Sequence, residues 1–330
     1  MSPKTARRLL LAFLCLLAAA GFFLSLLTGP VKTSPSDLWQ LVGGRASGVE
    51  TTIFLDLRLS RAVLAFLVGA ALALSGAILQ GYFQNPMADP FVIGVSSGAS
   101  LGAVLALALG VRAAVPGFSA QGFMAFASGL GIVSLVYLLS LRKGAFKIET
   151  LLLTGIAAGS LASALTSFLL FMRSDSFDQA VFWLLGSFQL ADWKQVGSVA
   201  PWFAVCLAAS LWLARDMNLL AMGDESALAL GCPVRRVRKA FLVLASLLAA
   251  LSVSVSGIIG FVGLVVPHWI RLLIGPDHRR LFAYASLAGG TFLLYSDLIA
   301  RTILPSELPI GVITAAVGAP FFLYLLHQKR

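Results

Sequence analysis

Ten apolar segments, each close to the length needed to cross a bilayer, follow one another along the 330-residue chain with only short polar connections between them. A helix rises 1.5 Å per residue, so about 20 apolar residues span a hydrocarbon core roughly 30 Å thick. The segments lie near residues 9–27, 58–81, 92–111, 119–141, 149–172, 194–214, 238–258, 260–275, 280–301 and 310–327. Residues 260–275 are short for a full span, and 180–190 reads as a re-entrant or interfacial helix before the sixth. A chain of this kind satisfies its backbone in lipid only as helices or a closed barrel, and runs this long are helical. The expected fold is an all-α polytopic membrane protein in a single domain, 1–330.

Only 12% of the residues are charged, against 59% hydrophobic. That is about half the charge of an ordinary soluble domain, too little to cover a soluble surface. A cytosolic enzyme, a nucleic-acid-binding domain and a disordered chain are excluded on that ground. The net charge of +10 does not point to nucleic acid, because the basic residues sit between apolar runs and form no stripe. Cys15, Cys206 and Cys232 are odd in number and far apart, and give neither a disulfide framework nor a metal spacing.

An even number of spans puts both termini on one side. Lys4, Arg7 and Arg8 precede the first segment, whose uninterrupted run of 19 residues exceeds the roughly 7–15 of a signal-peptide core, so a retained span is expected. With the N-terminus inside, sixteen Lys and Arg fall on the inner side, including Arg142, Arg215, Arg235, Arg236, Arg238, Lys239, Arg271, Arg279 and Arg280; eight fall outside. The positive-inside rule therefore favours N-in, C-in. Trp39, Trp183 and Trp193 fall near outer boundaries, where amphipathic rings prefer to sit. In the outer loop 29–57, Thr33-Ser34-Pro35-Ser36-Asp37 is a helix-start signature ahead of Leu38, Trp39 and Leu41, predicting a short helix on the membrane surface. The inner loop 215–237 has room for one or two short helices. Ser75-Gly76 precedes Pro86 by the interval that separates Ser256-Gly257 from Pro267, the first pair on an inward-running span and the second on an outward one, as an inverted repeat would give.

Catalytic chemistry is missing. No Walker A pattern occurs, and Gly94-Val95-Ser96-Ser97-Gly98 has no lysine to reach a phosphate. His268, His278 and His327 form no zinc-type pair, so no metal site is expected. His268 reads as a hydrogen-bonded structural histidine, and Asp297 and Arg301, four apart, as a pair. Nearly all charges map to span ends. An ion-driven carrier needs buried carboxylates, and their scarcity places the energy source on another chain.

Four segments carry specific information. The first is Asn85-Pro86-Met87-Ala88-Asp89-Pro90 followed by Gly94-Val95-Ser96-Ser97-Gly98, where prolines break the helix at the inner face and small residues allow close helix approach. The second is Gly223-Asp224-Glu225-Ser226-Ala227-Leu228-Ala229-Leu230-Gly231, then Pro233 and the basic run 235–239. The third is Gly260-Phe261-Val262-Gly263-Leu264-Val265-Val266-Pro267-His268 with Gly275-Pro276-Asp277. The fourth is Glu307-Leu308-Pro309-Ile310-Gly311 with Gly318-Ala319-Pro320.

In this order the four resemble the FecCD-type permease family, the membrane subunits of ABC importers for iron-siderophore complexes, haem and cobalamin. The resemblance runs from Leu57-Arg58-Leu59-Ser60-Arg61 to the C-terminus. It implies a type II ABC importer permease fold in a bacterial or archaeal cytoplasmic membrane. It also implies a homodimer with the pathway at the subunit interface, two cytoplasmic ATPase subunits holding ATP and Mg, and an extracytoplasmic binding protein; no cofactor is expected on this chain. Carried over by position, Arg58, Arg61 and Arg301 are docking residues for the binding protein, and three cations at outer span ends are also odd under the positive-inside rule. Glu225, Ser226, Ala227, Leu228 and Gly231 form the helix that couples to the ATPase, with small residues for close contact and a glycine to end it. Asn85, Pro86 and Met87 contribute to an inner gate. Ser60, where relatives commonly have proline, and Ser226 in the second coupling position depart from the pattern. The implied function is inward movement of a large metal chelate by alternating access. The alternatives are an ion-coupled secondary carrier for a small solute, which lacks a convincing intramembrane carboxylate, and an intramembrane enzyme, which lacks a catalytic constellation.

Overall fold

The computed structural model describes residues 3–29, 31, 33–43, 47–111, 117–142, 145–146, 148–172, 177–304 and 306–328. Lys32, Arg45, Arg112, Lys143, Lys147, Arg173, Lys329 and Arg330 of the charge tally lie outside them. The described chain is helical: α1 (Pro3–Leu27), α2 (Pro35–Val42), α3 (Gly48–Thr51), α4 (Ser60–Tyr82), α5 (Val95–Ala108), α6 (Ala120–Ser140), α7 (Ile148–Met172), α8 (Phe177–Leu184), α9 (Trp193–Trp212), α10 (Ala214–Leu220), α11 (Asp224–Ala229), α12 (Val234–Ser256), α13 (Val262–Ile274), α14 (His278–Ala300) and α15 (Ile310–Gln328). A two-residue antiparallel ladder, Leu141–Arg142 with Ala145–Phe146, joins α6 to α7.

Each of the ten apolar segments becomes a helix. Six are long and apolar enough to cross a membrane by length and composition: 4–27, 48–82, 120–140, 148–172, 193–212 and 234–256. α5, α13 and the stretch Ile310–Tyr324 of α15 are apolar but shorter. α14 has 23 residues but carries Arg279, Arg280 and Asp297. The helix expected before the sixth span is α8, and the one expected in the outer loop is α2, whose start is fixed by Ser34 N donating to Asp37 Oδ2 at 2.8 Å. Trp39 stands exposed on it.

Burial sorts the helices into two tiers. In α4, 83% of the most apolar window is buried within the chain and in α12, 67%, against 22% in α1, α7 and α9. α4 is apolar on every face and forms the centre. Its small residues let neighbours come in to backbone contact: a Cβ on Gly69 would collide with Gly289 O of α14, and one on Gly76 with Gly263 O of α13. Since lipid tails are as apolar as leucine, such close packing, rather than exclusion of water, is what holds helices together in a bilayer. Ser75 Oγ adds a hydrogen bond to Ala245 O of α12 at 2.8 Å. Other buried hydroxyls donate to the carbonyl one turn back, as Ser246, Ser252 and Ser256 do along α12.

The shortness of α5 and α13 has a structural cause. α13 starts beside the middle of α4, and the turn that precedes α5 packs onto that start. Pro90, opening a 3-10 turn over Pro90–Ile93, packs where a Cβ on Gly263 would lie, 2.5 Å from the proline ring. Leu72 O lies 2.8 Å from that same Cβ position, and Gln80 Nε2, fully buried, donates to Leu264 O at 2.9 Å. The helix starts are made by left-handed residues, Gly94 at φ +88° and Phe261 at φ +67°. The residues of the internal echo occupy different local settings in the two copies. Ser75 and Gly76 lie inside α4, whereas Gly257 is the left-handed end of α12 at φ +70°; Pro86 lies in a loop and Pro267 inside α13. Two small residues and a proline fit either environment.

Candidate functional site

The outer ends of α1, α4 and α14 are tied by arginines. A π-helical stretch, Thr52–Leu59, runs directly into α4 and places Arg58 and Arg61 one turn apart. Arg61 makes two forks: Nε and Nη2 donate to Asp297 at 3.0 and 2.9 Å, and Nη1 and Nη2 to the Glu307 carboxylate at 3.0 Å each. Arg301 approaches Asp297 through Nε at 3.5 Å and donates to Thr28 O at 2.9 Å and Ser25 Oγ at 2.5 Å at the end of α1. Arg58 donates to Leu26 O, Val31 O and Thr33 Oγ1 at 2.5–2.6 Å and stacks 5.6 Å from the Phe54 ring centroid. Guanidinium, with five donors in a planar fork, suits such multi-point ties better than an ammonium. Burial would raise the Glu307 carboxyl, but the hydrogen bonds and charge of Arg61 outweigh it and hold Glu307 below the ordinary carboxylate value. The sequence reading places Arg58, Arg61 and Arg301 at a protein–protein contact. The structure places them inside the chain, 5%, 12% and 4% exposed, with partners of their own. The expected Asp297–Arg301 pair is present. Arg61's partners lie 236 and 246 residues away and are not visible in a linear pattern.

Beside this clasp a cavity of about 1030 Å³ opens between the starts of α6 and α9, helix α8, the end of α12 and residues 307–309. Its lining is mixed and more apolar than polar, with Gln121, Gln179, Gln189, Gln195, Ser187 and Ser198 set among Phe118, Phe182, Trp183 and Leu190; Asp192, Lys194 and Glu307 carry the charge. Sequence reasoning missed it. The only local trace is the density of glutamine and serine between 179 and 198, unusual next to apolar helices.

On the inner side, Asn85, Pro86 and Met87 form a tight turn after α4. Met87 N donates to Asn85 Oδ1 at 3.0 Å, and Asn85 N to Gln80 O at 3.1 Å. Asn85 is exposed and the other two are half-buried. Asp89 then caps the 3-10 turn, accepting from Phe91 N at 2.7 Å; burial pushes its carboxyl up to about 6, with that hydrogen bond opposing.

The 215–237 segment contains α10 and α11. Glu225, Ser226 and Leu228 of α11 are exposed, Ala227 is fully buried, and Gly231 ends the helix at φ +82°. Asp224, at its start, accepts from Arg238 Nη2 at 2.5 Å. His268 is partnered, and its ring lies 6.2 Å from that of Phe321. Among the described residues no group of three or more His, Cys, Asp or Glu is placed to hold a metal.

Comparisons with known proteins agree over nearly the whole chain. Residues 16–328 match the model of the FecCD transport family. The cobalamin import system permease protein BtuC of Halobacterium salinarum is 45% identical over 276 residues, covering 83% of this chain and 73% of that protein. The hemin transport system permease protein HmuU of Yersinia pestis is 38% identical, covering 100% of this chain and 98% of that protein. A solved structure described as an inward-facing conformation of a metal-chelate type ABC transporter superposes with a TM-score of 0.85 at 33% identity, covering 98% of this chain and 99% of that one.

Proposed function

The chain belongs to the FecCD transport family and is a multi-pass permease subunit of the ABC importer kind, and from that premise we propose that it carries a large metal chelate inward across the cytoplasmic membrane by alternating access. The cargo class, an iron-siderophore, haem or cobalamin, rests on relatives named for cobalamin import, hemin transport and, in Bacillus subtilis, iron(3+)-hydroxamate import. The active unit is a homodimer with the pathway between the copies, two cytoplasmic ATPase subunits that bind ATP and Mg, and an extracytoplasmic binding protein. This chain does no chemistry of its own.

The observation that carries the reading is the form of α11: a short helix on the inner face, between two glycines, offering Glu225, Ser226 and Leu228 to solvent. A chain with no nucleotide-binding motif needs such a contact to receive work from an ATPase. The binding protein docks on the outer face. With their donors committed within the chain, Arg58, Arg61 and Arg301 serve that contact by holding α1, α4, α14 and Glu307 in register beneath it. Asn85, Pro86 and Met87, at the turn where α4 gives way to the re-entering segment, contribute to the inner gate.

The test is reconstitution of the chain with its ATPase and binding protein in liposomes, measuring ATP hydrolysis and uptake over a panel of ferric siderophores, haem and cobalamin. Uptake of one chelate that requires ATP and the binding protein is expected. Uptake that continues unchanged without the ATPase would overturn the proposal and favour an ion-coupled carrier.

A further inference from the structure

α11 is a six-residue helix mounted between two swivels. Gly223 has φ +99° and Gly231 φ +82°, and at each a Cβ would meet nothing within 4 Å. The preceding helix α10 is held quite differently. Gln84 Nε2 donates to Leu220 O at 2.6 Å, Asn218 Nδ2 to Asp277 Oδ1 at 2.8 Å, and His278 N to Asn218 Oδ1 at 3.0 Å, so α10 is fixed to the ends of α4 and α14.

A cavity of about 260 Å³ lies between one side of α11 and the inner ends of α4, α6 and α12, while Ala227 on the other side is fully buried. Asp224 and Leu228 form one wall, and Tyr82, Tyr137, Val234 and Arg238 face them. Across this gap runs a single ion pair among the described residues, Arg238 with Asp224. The same guanidinium donates through Nη1 to Tyr82 O at 3.0 Å and lies 5.3 Å from the Tyr82 ring centroid. Tyr82 is the last residue of α4, immediately before the 83–94 connection that re-enters the fold.

The asymmetry of the pair matters. The Arg238 side chain is 8% exposed and that of Asp224 is 49% exposed. A buried guanidinium does not give up a charged partner cheaply, whereas a half-exposed carboxylate on a hinged helix moves with that helix. When α11 shifts, Arg238 follows its carboxylate or loses it, and in either case the hold on Tyr82 O changes. The cavity leaves room beside Asp224 and Leu228, while Ala227 stays packed in the core.

Building on the reading of α11 as the ATPase contact, we infer that Arg238 is a positioning residue that transmits displacement of α11 to the inner end of α4 and to residues 83–94. Asp224 is the handle and Tyr82 O the point of delivery.

Hydrogen–deuterium exchange on the assembled complex, with and without a non-hydrolysable ATP analogue and Mg, reads both ends of this link at once. In the parent complex the analogue is expected to change exchange at 224–231 and at 83–94. In Asp224→Ala the response at 224–231 persists while that at 83–94 falls about threefold or more. Glu149→Gln, an exposed carboxylate at the start of α7 and outside this helix, retains both responses. A response at 83–94 that survives undiminished in Asp224→Ala overturns the inference, because the signal then travels by another route. Loss of both responses in Asp224→Ala also overturns it, assigning Asp224 to the ATPase contact itself. The underlying reading has its own control: Leu228→Arg must abolish co-purification of the ATPase, and if it does not, α11 is not the contact and that reading fails independently of the link.

Discussion

Replacing Asp297 by alanine is the sharpest way to ask what the outer arginines are for. The carboxylate is fully buried, accepts from Arg61 at 2.9 and 3.0 Å and lies 3.5 Å from Arg301 Nε. Its removal leaves Arg61 with Glu307 alone and Arg301 with Ser25 and the Thr28 carbonyl. Only Arg61 then keeps a carboxylate partner. Removing one partner from a buried ion pair costs about 3–5 kcal/mol, chiefly because the other charge stays buried uncompensated. For a chain of this size that corresponds to a fall in Tm of roughly 5 °C, taking soluble-protein entropies as a guide. Cys206 and Cys232 are buried free thiols and Cys15 is exposed. In a Cys15→Ser background, a thiol-reactive dye in detergent therefore reports unfolding directly. Glu307→Gln is the internal comparison. Its carboxylate is 24% exposed, Arg61 keeps Asp297, and the amide still accepts a hydrogen bond, so the expected loss is about 1 kcal/mol. If Asp297→Ala melts no earlier than Glu307→Gln, the clasp does not hold these helices together and the burial argument fails.

Two further outcomes follow from backbone packing and from titration. Gly76→Ala places a Cβ into Gly263 O and 2.7 Å from Gly263 Cα, where backbone faces backbone and cannot yield, so a loss of about 1–3 kcal/mol or more is expected; Gly131→Ala, with open space around it, is expected to gain up to about 1 kcal/mol, and equal melting of the two variants would refute the close-approach reading. Asp89 has a carboxyl raised by burial from 3.8 to about 6, so the folded chain holds its proton more tightly than the unfolded one. Stability therefore declines as pH rises from about 4 to 6 and stays lower above, by at most about 3 kcal/mol. Asp89→Asn, which still caps the Phe91 turn, removes that slope and melts higher at pH 7.5; melting curves for the two that run parallel from pH 4 to 8 would refute it.

Helix positions were legible because hydropathy is a local sum: each of the ten apolar segments found its helix, and the inner-loop motif at 223–231 stood out by its glycines and small residues. The swap from full spans to half-length α5 and α13 was only partly legible. The prolines and glycines at 86–94 and 257–263 announce breaks, but not that α13 starts beside the middle of α4 with the turn before α5 packed onto that start. The internal echo says little about local structure, because the residues it rests on are small enough for a helix interior, a cap or a loop alike.

The function of the outer arginines shows the limit most clearly. Their charge and their place at span ends are sequence properties, and those suggested outward-facing cations. Whether a cation faces out depends on whether a carboxylate meets it, and here Asp297 and Glu307 arrive from more than two hundred residues away. The Arg238 link, the 260 Å³ gap beside it and the outer cavity have the same origin. Composition and periodicity alone determined that the chain spans a membrane as a bundle of helices. Tertiary packing decided which helix is central, which charges are spent inside and which remain to meet a partner, because pairing energies depend on distance and burial that no linear spacing encodes.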